Sequence, residues 1–368
     1  MPVYADPDGG VAIAPAALHA WTAELLGRCG TPVDIAADVA EILMASDRRG
    51  IASHGTARLP TYVARVAAGV LDPAARPLLA RSRPAIALFD ARNGWGHHAG
   101  RVAMDWAIET ALTQGAATAI VGHSNHYGIA GWYALRAATA GLIGMSFTNA
   151  SPLVAPTRSR TPLIGTNPIA IAAPAGHWGA FCLDMATSTV PLGRIEVAAR
   201  RGETLMAGWA IDEEGRPAVT PEAALRGALQ PLGGVEATAG YKGYGLGLAV
   251  DLLTGVLSGS AFGPTVLGFF STEGPADLGQ AFIVLDPAAI DANGVFSRRL
   301  EGYLDQLTEA PVIPDASGRV LVPGEPEVRA EERADVRGII LDRAHAVSLH
   351  RLGARFGVAF PVDVPAIG

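Results

Sequence analysis

At residue 85 the texture of the chain changes. The first ~80 residues carry apolar side chains at helical spacing, whereas the stretch that follows is made of short β-rich runs cut apart by glycine. In the opening part Thr31 reads as a helix N-cap with Pro32 at the first helical position, and Ile35, Val39, Ile42 and Leu43 follow at helical intervals. Gly50 ends that helix. After a turn at 51–55, a second helix carries Arg58, Leu59, Tyr62, Val63 and Val66 and stops near Gly69, with Pro60 in a first turn where amides lack intrahelical partners. Strands are expected at 85–89, 117–121, 142–147, 169–173, 181–183 and 281–285, and helices at 101–112, 131–140, 221–229 and 243–257. The last ~70 residues return to helix, with one strand at 338–341. The pattern is α/β. Helices from both chain ends frame a central unit, giving a helical N-terminal part at 1–84, a central α/β domain at 85–295 and a helical C-terminal part at 296–368 that packs back on the first.

Composition agrees with that size of core. Of 368 residues, 49% are hydrophobic and 17% charged, which excludes long disorder. A net charge of −7 gives no footprint for nucleic acid. Cys29 and Cys182 cannot staple a chain of this length, and residues 1–6 show no basic region ahead of an apolar stretch, so a cytoplasmic protein without a signal peptide is expected. The longest apolar stretch, 245–270, holds Asp251, Pro264 and several glycines and reads as a buried helix with a glycine-rich exit rather than a membrane span.

One cation stands apart. Lysine and arginine together number 28, yet Lys242 is the only lysine in the chain. Where arginine serves as the general surface cation, a retained lysine suggests a need for a compact ammonium on a flexible stem. Its setting, Gly240-Tyr241-Lys242-Gly243-Tyr244-Gly245, suggests that a ligand approaches the backbone there.

Other patterns are decoys. Gly94, Gly96 and Gly100 follow a strand and precede a helix, but their spacing is GxGxxxG and the next strand ends in Gly122-His123 instead of a ribose-binding acid, so a tight turn is the simpler reading. No Walker loop exists, because Gly243 follows the sole lysine. Four of the nine histidines crowd two segments, His97-His98 and His123 with His126, without the spacing of a zinc site, so no metal is expected. His54 and His126 sit in polar loops among small residues that leave room for a ligand, and imidazole suits proton transfer at neutral pH. Arg58 follows His54 by four residues, and one helical turn would present both on one face as a clamp for a carboxylate beside a carbonyl.

Several segments in order resemble the malate/L-lactate dehydrogenase family, which also includes ureidoglycolate, sulfolactate and diketogulonate dehydrogenases. They are Ser46-Asp47-Arg48-Arg49-Gly50-Ile51-Ala52-Ser53-His54-Gly55 with Arg58 and Tyr62, His126-Tyr127-Gly128-Ile129-Ala130-Gly131, Gly165-Thr166-Asn167-Pro168, Asp184-Met185-Ala186-Thr187-Ser188, Tyr241-Lys242-Gly243-Tyr244-Gly245 and Pro323-Gly324-Glu325. The resemblance implies a non-Rossmann fold with a mixed-sheet cofactor domain, usually in a homodimer, that uses NAD(P)H to reduce 2-oxo acids. It implies His126 as proton donor and acceptor, and Ser53, His54, Arg58 and Tyr62 as the lining of the substrate pocket. Asn149, Ala150, Asp184, Met185, Ala186, Lys242, Gly243, Pro323, Gly324 and Glu325 fall on segments that contact the cofactor in the family. His54 is open to two roles, polarising the carbonyl or acting as the acid with Asp184 behind it.

The run Thr157-Arg158-Ser159-Arg160 departs from the family pattern after Pro156. Cyclic-imine reductases of the family tend to have His-Phe where this chain has His126-Tyr127, which favours a 2-hydroxy acid over a cyclic imine carboxylate. A catalytically silent binding protein on the same scaffold is disfavoured by the retention of both loop histidines, Arg58 and Lys242.

Overall fold

A short strand, β1 (Val11–Ile13), leads into α1 (Pro15–Arg28), α2 (Val33–Arg48) and α3 (Leu59–Ala67) in the computed structural model, which describes residues 10–291 and 293–364. The segment 1–6, read above for a targeting signal, lies outside the described residues. Thr31 does not cap α2. Pro32 takes the capping position, and the Thr31 hydroxyl instead accepts the indole N–H of the buried Trp95 at 3.2 Å. A buried donor without a partner is costly, and this long-range need outweighs the local cap. Gly50 does end the helix: its φ is +74° and the Ile51 amide reaches back to the Ser46 carbonyl at 2.9 Å.

The central unit runs β2 (Leu78–Arg83), β3 (Ile86–Asp90), α4 (Gly96–Gln114), β4 (Ala116–Ser124), α5 (Ala130–Thr139), β5 (Ile143–Thr148), β6 (Ile169–Pro174) and β7 (Ala180–Met185). A small lobe follows, with α6 (Leu192–Arg201), β8 (Ala210–Ile211), α7 (Pro221–Arg226) and β9 (Ala228–Leu229), and then α8 (Gly240–Asp251) and β10 (Leu278–Leu285). The chain closes with α9 (Phe296–Thr308), α10 (Glu325–Arg337), β11 (Ile339–Leu341) and α11 (Arg343–Arg355). Seven strands form one mixed sheet in the order β2-β3-β4-β10-β5-β6-β7, antiparallel throughout except for the β3–β4 pair that α4 connects. β2 was not expected from the sequence. It is an edge strand exposed along its whole length, so no apolar alternation marks it. The single helix expected at 221–229 is instead α7 followed by β9, broken at Gly227, where a Cβ would fall 1.9 Å from the Ile211 carbonyl.

The two largest of the apolar clusters among the described residues hold these layers. One packs α4 and α5 on the sheet through Met104, Tyr127, Tyr133 and Phe282. The other joins both chain ends: Leu18, Leu25, Ile35, Leu43 and Tyr62 pack with Leu341, Leu349 and Leu352, and β1 pairs antiparallel with β11. Full burial of each such side chain contributes about 1.5–3 kcal/mol, so residues far apart in sequence hold the framework of α2 and α3 in place.

The GxGxxxG glycines serve close packing. A Cβ on Gly96 would lie 2.0 Å from the Asn125 carbonyl, and one on Gly100 would lie 2.8 Å from the Tyr133 ring. Backbone of the same chain therefore occupies the space at the start of α4 where a dinucleotide fold would hold a phosphate. The apolar stretch at 245–270 is also not a buried helix. α8 turns Gly240, Gly243, Gly247 and Val250 inward and continues into a π-helical segment at Leu252–Val256, while Tyr241, Leu248, Leu252 and Val256 stay exposed. The glycines allow the backbone itself to pack on the body, which leaves the bulky side chains outside. No helix among the described residues is long and apolar enough to cross a membrane.

Candidate active site

The site begins with Asp47, buried near the end of α2. Its Oδ2 accepts the Thr56 amide at 2.9 Å and the Thr56 hydroxyl at 2.7 Å, and a Cβ on Gly55 would fall 1.8 Å from its Oδ1. This clamp folds residues 52–58 into two successive 3-10 turns, broken at Gly55, instead of one α-helical turn. His54 and Arg58 consequently do not share a helix face as spacing suggested. Arg58 folds back so that its Nε donates to the Ser53 carbonyl at 2.5 Å. With Nε occupied, the two Nη groups are left for a carboxylate, and Phe269 and Phe270 flank the guanidinium at 5.3 and 5.8 Å.

Long-range packing assembles the histidines. His126, in the loop between β4 and α5, lies nearly parallel to His54 with ring centroids 5.5 Å apart. Its Nδ1 is 2.6 Å from the Tyr62 hydroxyl of α3 and also accepts the Gly128 amide at 3.3 Å. Tyr62 is within 3.5 Å of His97 Nε2, and the Phe269 ring covers His126 at 5.0 Å. His54 Nδ1 pairs with the Ser53 hydroxyl at 2.9 Å. Burial, reinforced by His54, His97 and Arg58, pushes His126 well below the ordinary imidazole range. His54 is lowered to about 4 by burial and then by Arg58, and burial lowers His97 to about 3. Burial also raises the Tyr62 phenol, with Arg58 opposing it. At neutral pH the cluster is three neutral imidazoles and a phenol beside one guanidinium, suited to donating hydrogen bonds to a carbonyl and holding its acid group.

The comparisons with known proteins bear on this arrangement. The family model described as malate/L-lactate dehydrogenase matches residues 13–350. The chain belongs to the malate/L-lactate dehydrogenase family. It is 38% identical over 343 residues to a malate dehydrogenase of Pyrococcus abyssi, covering 93% of this chain and 94% of the relative. It is 37% identical over 281 residues to a (2R)-3-sulfolactate dehydrogenase (NADP(+)) of Chromohalobacter salexigens (76% and 79% covered), and 32% identical over 323 residues to a ureidoglycolate dehydrogenase (NAD(+)) of Escherichia coli O157:H7 (88% and 90%). Among solved structures, malate dehydrogenase from Pyrococcus horikoshii superposes with a TM-score of 0.89 at 35% identity, covering 97% and 98% of the two chains. The delta1-piperideine-2-carboxylate reductase of Pseudomonas syringae pv. tomato gives 0.83 at 30% identity, covering 93% and 99%.

Membership in the malate/L-lactate dehydrogenase family makes the positions of the remaining expected residues informative. Asp184 and His54 share no hydrogen bond or ion pair among the described residues. Asp184 is the penultimate residue of β7, at the mouth of α5, where its Oδ2 accepts the Gly131 amide at 2.8 Å, and the residue is exposed to solvent. Desolvation by the surrounding protein pushes its carboxyl up to about 6, against the pull of that amide and of Arg49. The Asn149 side chain is spoken for internally: Nδ2 donates to the Ala261 carbonyl at 2.8 Å and Oδ1 accepts the Gly279 amide at 2.9 Å, so a ligand beside Asn149 and Ala150 would meet backbone. The Glu325 carboxylate is held by Arg319, Arg329 and the Val322 amide. Gly324, with φ of +94°, lies against Cys182, whose amide donates to the Pro323 carbonyl. Lys242 is exposed, and its ammonium has no hydrogen-bond or ion-pair partner among the described residues. Gly243 is buried, and a Cβ there would fall 2.3 Å from the Leu232 carbonyl, so this glycine serves packing and not ligand access. Met185 and Ala186 follow Asp184 half-buried.

Three residues of the cluster escaped the sequence reading. His97 was grouped with His98, but the two part within the first turn of α4: His97 turns inward to Tyr62, and His98 pairs with Asp38 at 2.7 Å. Phe269 lies in an irregular stretch with no periodicity to flag it. Asp47 entered only within a segment that resembles the family, with no role; its clue was the glycine eight residues later.

Proposed function

We propose that this protein interconverts a 2-oxo acid and a 2-hydroxy acid with a nicotinamide cofactor. The observation that carries the reading is the grouping of His126, His54 and Arg58, whose Nη groups are left free, in one cluster. Arg58 would grip the substrate carboxylate through its two Nη groups and so fix which face of the carbonyl is exposed. His126, through Nε2, would face the carbonyl oxygen and stabilise the charge that develops there, while His54 with Ser53 adds a second polar contact. Phe269, whose ring centroid lies 5.0 Å from that of His126, would shield this corner from water.

The residues present suit a dinucleotide. Lys242 is a free ammonium for phosphate or ribose oxygens, and backbone at 149–150, 185–186 and 323–324 would line its path. When bound, the cofactor supplies the hydride for reduction or accepts it in oxidation; relatives are named for both NAD(+) and NADP(+). The exposed apolar row of α8 supports a homodimer, and the unbridged Cys29 and Cys182 support a cytoplasmic setting.

A cyclic imine carboxylate is the second reading, supported by the structural likeness to the piperideine-carboxylate reductase. It would place the same carboxylate on Arg58 and a C=N bond before His126. The purified protein, offered oxaloacetate, 3-sulfopyruvate or Δ1-piperideine-2-carboxylate with NADH and with NADPH, separates the two. Consumption of reduced cofactor with an open-chain 2-oxo acid is expected; consumption with the imine alone overturns the first reading.

A further inference from the structure

The hydrogen bonds around His126 carry an inference about where the transferred proton comes from. A backbone amide can only donate, so the Gly128 N–H aimed at Nδ1 requires that nitrogen to be unprotonated in the resting protein. The Tyr62 hydroxyl, 2.6 Å from the same nitrogen, then donates to it as well. Two donors on Nδ1 place the ring's proton on Nε2. Tyr62 has a further neighbour in His97, whose Nε2 is 3.5 Å from the hydroxyl and whose Nδ1 is buried without a partner. A buried N–H left unpaired is rarer than a buried acceptor left unpaired, so the His97 proton sits on Nε2, facing the Tyr62 oxygen. The chain of donors thus runs one way, from His97 to Tyr62 to His126, and ends at the proton on Nε2.

We propose that Tyr62 is the proton source for carbonyl reduction, acting through His126. This rests on the 2-oxo acid reading above. As hydride from a nicotinamide cofactor reaches the carbonyl carbon, the His126 Nε2–H bond breaks and its proton passes to the new alkoxide oxygen. The Tyr62 O–H bond breaks in turn, its proton forms Nδ1–H on His126, and its electron pair stays on the phenolate oxygen. His126 is neutral before and after the step. The phenolate is held by the His97 N–H and by the field of Arg58; once product leaves, His126 Nε2 takes a proton from water and the Nδ1 proton returns to the phenolate, which restores the resting tautomer. Oxidation of the alcohol follows the same steps in reverse. A protonated His126 acting alone would instead need an acceptor at Nδ1, where the fold supplies two donors. The charged and titratable groups facing this chain are His54 and Arg58 from the two 3-10 turns, His97 from α4 and Tyr133 from α5. Arg58 and the two histidines disfavour an added positive charge on His126.

The test has two arms. In protein labelled with 15N-histidine, ring-nitrogen shifts without any ligand should report Nδ1 bare and Nε2 protonated for His126 from about pH 5 to 8, assigned by loss of the signal in His126→Gln. An imidazolium at pH 7, or the opposite tautomer, overturns the proposal. In steady-state reduction, the wild-type kcat should stay flat through the range where an ordinary imidazole titrates. Tyr62→Phe should lower kcat by roughly 10²- to 10⁴-fold and leave KM for the 2-oxo acid within a few-fold. A Tyr62→Phe enzyme with nearly full kcat, or a wild-type kcat that declines from about pH 6.5 upward, also overturns it. If the wild type reduces no 2-oxo acid, the functional reading fails, and the ring-nitrogen shifts still judge the hydrogen-bond chain.

Discussion

The segment at 52–62 and the segment at 240–257 were both singled out by the same kind of signal, a chemically distinctive residue among small neighbours, and the fold treats them in opposite ways. In the first, Asp47 clamps Thr56, Arg58 folds onto the Ser53 carbonyl and Tyr62 meets His126, so these side chains are held in place by one another before any ligand arrives. In the second, the glycines press on residues 232–234, the Lys242 ammonium is left without a partner among the described residues and a row of large apolar side chains faces outward. The difference teaches where binding energy goes. On the proposed function, the half that would hold the carboxylate and handle the proton is preorganised by the chain itself, whereas the α8 half would gain its contacts from outside.

Removing the centre of the preorganised half should have the largest effect. His126→Ala is expected to lower kcat roughly 10²- to 10⁴-fold while NAD(P)H affinity, followed by fluorescence titration, stays within a few-fold. If both fall together, the two halves are not independent. Arg58→Lys comes next, because a point charge cannot replace two parallel Nη contacts. KM for the 2-oxo acid should rise roughly 10- to 100-fold, the equivalent of about 1.5–3 kcal/mol. A KM that stays put while cofactor affinity drops would move Arg58 to the dinucleotide side.

Acid sensitivity probes the same half without substrate. His97 titrates at about 3 when folded against an ordinary 6.5, so below pH 6.5 the unfolded chain binds more protons and stability is lost as pH falls towards 3. The slope is about 1.4 kcal/mol per pH unit for a fully titrating group. His54 acts in the same sense but keeps some solvent contact, and Asp184, raised to about 6, opposes both between its ordinary 3.8 and 6. His97→Gln should therefore flatten the loss of stability between pH 6.5 and 4.5, measured by urea denaturation. An unchanged slope would mean that His97 is not held neutral inside the fold.

The smallest effect is expected on the open half. Lys242→Met should weaken cofactor binding by about 1 kcal/mol, some fivefold, as suits an exposed charge contact. The loss should shrink as salt is added, and Lys242→Arg should recover only part of it. Isothermal titration showing equal affinity for all three proteins would return Lys242 to the ordinary surface.

Much of this molecule is legible locally. The sheet strands at 86–90, 116–124, 143–148, 169–174, 180–185 and 278–285 all lie over expected ones, because apolar runs bounded by glycine carry their own signature. The segments around His54, His126 and Lys242 could be found for the same reason: unusual residues in small-residue surroundings stand out one at a time. β2 was illegible because an exposed edge strand leaves no periodic trace. The outward face of α8 was illegible because apolar composition does not say which side of a helix packs, and here close backbone contacts at glycine decided it.

What the sequence determined by itself, then, is the alternation of elements, the turns that end them and the residue types available to the chemistry. Only the tertiary structure decided which of those residues meet. Tyr62 and His126 are 64 residues apart and share a hydrogen bond because α3 and the loop after β4 are held by different cores. The partner of Asp184, the inward turn of His97 and the nitrogen of His126 that carries the proton follow from such encounters. Local pattern encodes periodicity and turn chemistry, but a tautomer is fixed by whichever donors long-range packing brings to the ring.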